Sequence, residues 1–169
     1  MKGKLLILFT VTFLGCAQHS HRCYEIDGAK LKIRVYKKDL KDKLKVEALS
    51  FESMDLHALP DDLPEFKNLR YLNLRRNNFK IIPAYVTRFP NLAVLFIDHN
   101  PIELLPKEIV EMKNLRVLTI NQTEIQHLPK GFYDLNLKLF LIGGAKIDFS
   151  QREEVRIKMK KTKVINSLD

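Results

Sequence analysis

From Lys45 onward, apolar residues return at fixed places in a unit of 23 residues. Residues 68–90 read NLRYLNLRRNNFKIIPAYVTRFP, and residues 91–113 read NLAVLFIDHNPIELLPKEIVEMK. Residues 45–67 upstream align position for position, residues 114–135 are one residue shorter, and a last copy starts at Asn136 and fades by residue 149. With the first residue of each unit counted as offset 0, apolar side chains recur at offsets 1, 4 and 6. The sets are Val46, Leu49, Phe51; Leu69, Leu72, Leu74; Leu92, Leu95, Ile97; Leu115, Leu118, Ile120; and Leu137, Phe140, Ile142. Alternation between offsets 4 and 6 predicts a short strand with one face buried. Another anchor follows at offset 11, and four units then carry an apolar-proline pair: Leu59-Pro60, Ile82-Pro83, Leu105-Pro106 and Leu128-Pro129. Proline lacks a donor and disfavours helix at the residue before it, so each pair marks where the chain turns back. The return segments bury further apolar residues, such as Val86 with Phe89 and Ile109 with Met112. A single unit cannot bury its own apolar face, so the pattern requires stacking and a cap at each end.

The frame LxxLxLxxNxLxxLPxxIxxLxN resembles the typical 23-residue leucine-rich repeat found in bacterial surface and secreted proteins. The resemblance covers residues 45–149 and is specific for fold. It implies an α/β solenoid: a curved parallel sheet of short strands on the concave face, with irregular, 3₁₀ or short helical return segments. In the family, asparagine at offset 9 bonds neighbouring backbone and ties successive turns together. Asn77 and Asn100 fit that rule, whereas Met54, Thr123 and Ala145 depart from it, which predicts looser or differently packed ends. For the caps, residues 24–35 suggest a hairpin around Asp27-Gly28 that takes in Leu31, Ile33 and Val35. Residues 36–44 suggest a short polar helix, completing an N-terminal cap over 24–44. Ser150-Gln151-Arg152-Glu153 reads as a capping box opening a helix over 151–161 in the C-terminal segment 150–169, with Val155 and Met159 inward. Gly143-Gly144 suggests that something packs against the last strand.

In such a sheet the residues alternating with the leucines face the concave side. Offset 3 gives Ala48, Tyr71, Val94, Val117 and Leu139; offset 5 gives Ser50, Asn73, Phe96, Thr119 and Leu141. Offset 7 adds Glu52, Arg75, Asp98, Asn121 and Gly143, and offset 8 adds Ser53, Arg76, His99, Gln122 and Gly144. Strands about 4.8 Å apart would make these rows continuous. Tyr71, Val94, Phe96, Val117, Leu139 and Leu141 would then form an apolar patch bordered by Arg75, Arg76, Asp98 and His99. Those residues except Arg76, together with Asn73, Thr119 and Asn121, make up the candidate partner-binding set of twelve. An exposed apolar patch with a polar rim marks a protein-binding surface.

Composition narrows the alternatives. The chain has 169 residues, 46% hydrophobic and 29% charged, which fits one globular domain. Lys2 and Lys4, an apolar run from Leu5 to Leu14, and small residues at Gly15, Cys16 and Ala17 read as an export signal over residues 1–15. The run is too short for a spanning helix, which takes roughly 20 residues. Phe13-Leu14-Gly15-Cys16 resembles a lipobox, which implies Cys16 as a lipidated N-terminus and residues 16–23 as a tether. Two outcomes stay open: an envelope lipoprotein, with the outer membrane favoured, or a free secreted protein cleaved after Ala17. In either case Cys23 has no disulfide partner in the mature chain.

The formal charge of +9 falls to +7 once Lys2 and Lys4 are removed, and the excess gathers over residues 30–45 and 151–169. Basic ends can attract anionic surfaces or can simply be solvated faces of the caps. Nucleic acid is not expected for an exported protein. His19, His21 and Cys23 lack a fourth ligand, so neither metal nor cofactor is expected. No catalytic constellation stands in a plausible setting, and about 20 residues after the last repeat leave no room for a catalytic domain. The sequence therefore predicts a monomeric, non-enzymatic scaffold that binds a protein on its concave face. The alternative is a structural envelope lipoprotein held through its basic ends.

Overall fold

The computed structural model describes residues 23–26, 29–37 and 40–166. The export signal, Cys16, His19 and His21 lie outside the described residues. Two strands, β1 (Cys23–Ile26) and β2 (Ala29–Lys32), pair antiparallel, with Ile26 opposite Ala29. The remaining strands form a seven-stranded parallel sheet in sequence order. These are β3 (Arg34–Val35), β4 (Ala48–Ser50), β5 (Tyr71–Asn73), β6 (Val94–Phe96), β7 (Val117–Thr119), β8 (Leu139–Leu141) and β9 (Lys163–Ile165). From β4 to β8 each strand is paired at identical repeat offsets: Leu49, Leu72, Leu95, Leu118 and Phe140 stand side by side. Register matters because a slip of one residue would turn every leucine out of the core.

The expected anchors form one continuous buried cluster running from Val46 to Met159. Leu49, Leu72, Leu118 and Phe140 are wholly inaccessible to solvent. Between strands the chain returns through 3₁₀ turns at Leu63–Glu65, Ala84–Arg88, Lys107–Glu111 and Phe132–Asp134. Each proline of the apolar-proline pairs accepts the opening bond of its turn at its carbonyl, from Leu63, Val86, Ile109 and Phe132 respectively. Proline is suited to that place, with its fixed φ and with no amide of its own to satisfy.

Asn77 and Asn100 perform the expected tie. The Asn100 Nδ2 donates to the carbonyls of Leu74, Ile97 and Asp98 at 2.9–3.1 Å, and its Oδ1 accepts from the Phe79 amide. The Asn77 Nδ2 likewise donates to Phe51, Leu74 and Arg75, while its Oδ1 accepts from Met54 and Leu56. Where asparagine is missing the units are packed differently. Thr123 reaches only the Ile120 carbonyl of its own unit, Ala145 is buried without polar atoms, and Met54 is exposed.

Offset 8 holds a feature with no sequence signal in four of five units. Ser53, Arg76, His99, Gln122 and Gly144 all take left-handed backbone, with φ between 52° and 68°. The first four donate their amide to the offset-7 carbonyl of the next unit, those of Arg75, Asp98, Asn121 and Gly143. Left-handed backbone costs an ordinary residue about 1–2 kcal/mol, and these inter-unit bonds offset it. At Gly144 a Cβ would also fall 2.4 Å from the Gln122 side-chain Nε2.

Both caps differ from expectation. The hairpin stops at Lys32, and Arg34–Val35 leave it to run parallel to β4, so the expected continuous hairpin through Val35 is corrected. In place of a polar helix over 36–44, the described residues hold one 3₁₀ turn at Lys43–Lys45. The ring of Tyr36 stacks on Phe51 at 4.6 Å, and its hydroxyl donates to Asp62. Lys43 pairs with Asp62 at 2.8 Å and with Glu65 at 3.1 Å. At the other end, helix α1 (Phe149–Lys158) starts two residues before the expected position. Its N-cap is Asp148, and neither Asp148 nor Ser150 makes the side-chain bond of a capping box. Val155 and Met159 point inward as expected. Gln151 and Arg152 serve the last turns instead: Gln151 bonds both backbone groups of Leu128, and Arg152 donates to the carbonyls of Ala145 and Ile147. The group that packs against the last strand is β9, whose Ile165 carbonyl accepts from the Ile142 amide.

Replacing Asn100 with alanine takes a donor from three buried carbonyls, leaving Ile97 without one, strands the Phe79 amide, and is expected to cost about 2–3 kcal/mol. Asn114→Ala, which removes one exposed bond to the Pro90 carbonyl, is expected to cost well under about 1 kcal/mol. Urea denaturation of both variants measures the contrast, and equal losses would contradict the asparagine tie. Acid acts at the N-terminal cap. Burial pushes the Asp62 carboxyl up, but hydrogen bonds from Lys43 and Tyr36, with the Lys43 charge, outweigh it and hold the group below its ordinary 3.8. Its contribution is therefore complete above pH 3.8 and is lost as pH falls through the lower folded value. Asp62→Asn should flatten that part of the stability–pH curve while leaving the curve's shape near neutrality unchanged.

Candidate functional site

All twelve residues of the expected binding set come together on β5 to β8 and the turns just after them. Their exposure divides them into two groups. Tyr71, Val94, Phe96 and Val117 are buried to 4% exposure or less, and Leu139 and Leu141 are half-buried. The expected open apolar patch is thus corrected to a second, smaller core on the outer face of the sheet. It is completed by Ile33, Ala48 and Ala93. The physical reason is close lateral packing: side chains at one offset on strands about 4.8 Å apart cover one another. Phe96 meets the edge of Tyr71 at 5.3 Å, and the Arg75 guanidinium lies 4.0 Å above Phe96. Ile33, in the link between β2 and β3, then covers the N-terminal end.

The polar members organise around Asp98. Its side chain is only 3% exposed, yet four donors reach its carboxylate. Arg75 Nε and Thr119 Oγ1 donate to Oδ2. The Asn121 amide and its Nδ2 donate to Oδ1 at 2.9 and 2.8 Å. The network continues outward through Asn121 Oδ1, which accepts from the Gly143 amide, and through Asn73, which donates to Glu52 at 3.1 Å. A buried carboxylate is tolerable only when paired and bonded in this way. Asp98 therefore builds and orients the surface, and Arg75 lies across the aromatic pair because Asp98 holds it there.

Beyond this network the surface opens. Glu52, Arg75, Arg76, Asp98, His99 and Asn121 line a shallow cavity of about 130 Å³. Arg76 and His99 are exposed, and their left-handed backbone turns them outward at the ends of β5 and β6. Glu52 and Arg76 were the members least visible as a site, because they occupy the cavity only when adjacent units stack at matching offsets. His57 and His127 do not join His99; His127 pairs instead with Asp148 at 2.9 Å. Among the described residues no group of three or more histidine, cysteine or acidic side chains could hold a metal ion. Also among them, no helix is long and apolar enough to cross a membrane.

Asp98→Ala would leave Arg75 without its carboxylate and strand the Thr119 and Asn121 donors. The expected loss is about 3 kcal/mol by chemical denaturation. A loss below about 1 kcal/mol would mean that the network holds nothing in place.

Residues 68–89, within the second unit, match the sequence family described as Leucine Rich Repeat. No curated protein matches the chain. Among solved structures it is similar to an LRR protein of Leptospira interrogans, with 26% identity and a TM-score of 0.54. That alignment covers 66% of this chain and 34% of the other. It is also similar to the LRR ectodomain of the plant membrane receptor kinase GASSHO1/SCHENGEN3 from Arabidopsis thaliana, solved in complex with CASPARIAN STRIP INTEGRITY FACTOR 2. There the identity is 21% and the TM-score 0.53, over 70% of this chain and 14% of that one. The chain thus spans much less than two thirds of either protein. In-register parallel strands, 3₁₀ return turns, the family match and both structures agree: this chain folds as a leucine-rich repeat solenoid.

Proposed function

We propose that the protein is an exported scaffold that binds a protein partner through the sheet face turned away from the leucine core. Contact is made at the polar rim by Arg75, Arg76, His99 and Asn121, with Tyr71 and Phe96 as its buried support. The observation that carries this reading is the open cavity where Glu52, Arg75, Arg76, Asp98, His99 and Asn121 converge. Its floor is fixed by hydrogen bonds before any partner arrives, so little ordering entropy is lost on binding. Arginine is also among the side chains that dominate binding energy at interfaces. The plant ectodomain, solved with a partner bound, supports a binding role for this architecture. Export rests on the charged, apolar and small segments of residues 1–17, with Cys16 as the proposed lipid anchor.

The test pairs a charge-reversed rim with an intact fold. Arg76→Glu with His99→Glu, both exposed, is expected to leave the thermal transition in place and to weaken partner binding at least tenfold. Undiminished affinity of that variant for a partner captured by the wild type overturns the site. Mass spectrometry of the mature chain tests export. An acylated Cys16 or a new N-terminus after Ala17 supports it, and retained residues 1–15 overturn it.

A further inference from the structure

The opposite ends of the strands carry a second surface that the rim does not use. Offset 2 lies just before each strand, and its residues are Glu47, Arg70, Ala93, Arg116 and Lys138. One backbone hydrogen bond joins each to the next. Arg70 donates to Glu47, Ala93 to Arg70, Arg116 to Ala93, and Lys138 to Arg116, at 2.7–2.9 Å. The side chains therefore stand in file at strand spacing, and Arg70 and Arg116 sit about 10 Å apart, two strands on. Between them comes the smallest member of the row. Ala93 leaves a gap that a larger side chain would fill, and a cavity of about 250 Å³ opens there. Arg70, Asn91, Ala93, Asn114 and Arg116 line it.

The charge of this cavity is one-sided. Neither Arg70 nor Arg116 forms an ion pair among the described residues, and no acidic side chain lines the cavity. The Arg116 guanidinium is held in place, because its Nη1 donates to the carbonyls of Lys113 and Leu115 at 2.7 and 3.0 Å. That leaves its Nε and Nη2 without an acceptor among the described residues. Asn114 is tied to the Pro90 carbonyl, whereas among the described residues the Asn91 amide has no partner. Lys138 extends the positive row on the C-terminal side. Two half-buried guanidinium groups on opposite walls and a spare amide donor form a receptor with donors and no acceptor of matching charge.

We propose that this cavity binds a tetrahedral oxyanion, a phosphate or sulfate group, between Arg70 and Arg116. Arginine presents a planar fork that meets such oxygens two at a time. Donors on opposite walls suit a group with oxygens on several sides, which a planar carboxylate fills less completely. Ala93 provides the room and Asn91 the neutral donor. The site lies across the sheet from the rim, so it is independent of the partner-binding reading.

The full chain, labelled with ¹⁵N, is titrated with inorganic phosphate and with inorganic sulfate against sodium chloride of equal ionic strength. Saturable shifts are expected at the Arg70 and Arg116 Nε, the Ala93 amide and the Asn91 side chain. Arg116→Gln, Arg70→Gln and Ala93→Leu should each weaken the binding at least tenfold, the order expected for losing a charge-assisted bond or the space itself. Arg76→Gln on the opposite rim should leave it unchanged. Because Ala93→Leu also tests the fold, the two arginine variants carry the conclusion if it unfolds. Co-sedimentation with phosphatidylglycerol vesicles, against phosphatidylcholine alone, separates the sources. Vesicle binding that Arg116→Gln abolishes points to a lipid headgroup, and saturable ion binding without vesicle binding points to a soluble ester. Unsaturable shifts, or shifts and sedimentation equal in wild type and both arginine variants, overturn the proposal.

Discussion

Every strand from β4 to β8 meets its neighbour at the same repeat offset, and the molecule depends on that register. It places leucine beside leucine in the core. It also brings the offset-8 amide of each unit to the offset-7 carbonyl of the next, and Asn77 and Asn100 to the backbone of the preceding turn. Parallel neighbours in a stack contribute nearest-neighbour energies, so each unit is stable only against the next. Left-handed backbone at Arg76, His99 and Gln122 follows from the same requirement. The chain must turn sharply there for its amide to reach across, whichever residue is present.

The register also explains why one sheet carries two surfaces of different chemistry. Offsets 7 and 8 collect Arg75, Asp98 and Asn121 where the strands end, in a network satisfied by its own partners, with His99 exposed beside it. Offset 2 collects Arg70, Arg116 and Lys138 where they begin, with nothing of opposite sign in the cavity between. Stacking turns a difference of five or six positions along the chain into a separation of roughly 15–20 Å across the sheet. A change in one surface therefore need not disturb the other.

Charge behaves less simply than the composition suggests. The basic excess at the two ends is partly spent within the caps. Lys43 serves Asp62 and Glu65, Arg156 pairs with Glu153, and Lys158 pairs with Glu154 while lying over the Tyr133 ring. Burial raises the Tyr133 phenol to about 12, helped by the nearby negative charge of Glu154, so it remains neutral at any ordinary pH. Arg152 is consumed by the backbone of the last turn. These pairs close the solenoid at its two ends.

What the sequence determined by itself was the unit. Leu49, Leu72, Leu95 and Leu118, the proline at each turn, and Asn77 and Asn100 state a 23-residue period whose only economical burial is a stack. That logic is local and repetitive, so one chain is enough to read it. The tertiary structure decided which faces stay open. Tyr71 and Phe96 look like exposed anchors along the chain but pack beside Val94 and Ile33, because lateral neighbours come from units 23 residues away and from a cap without the repeat pattern. The ends were settled the same way. The strand pairing of Arg34–Val35 and Lys163–Ile165 comes from the open sheet edges, which offer backbone partners to whatever segment reaches them. Arg70 and Arg116 lie 46 residues apart in sequence, and only the stack places them on either side of Ala93.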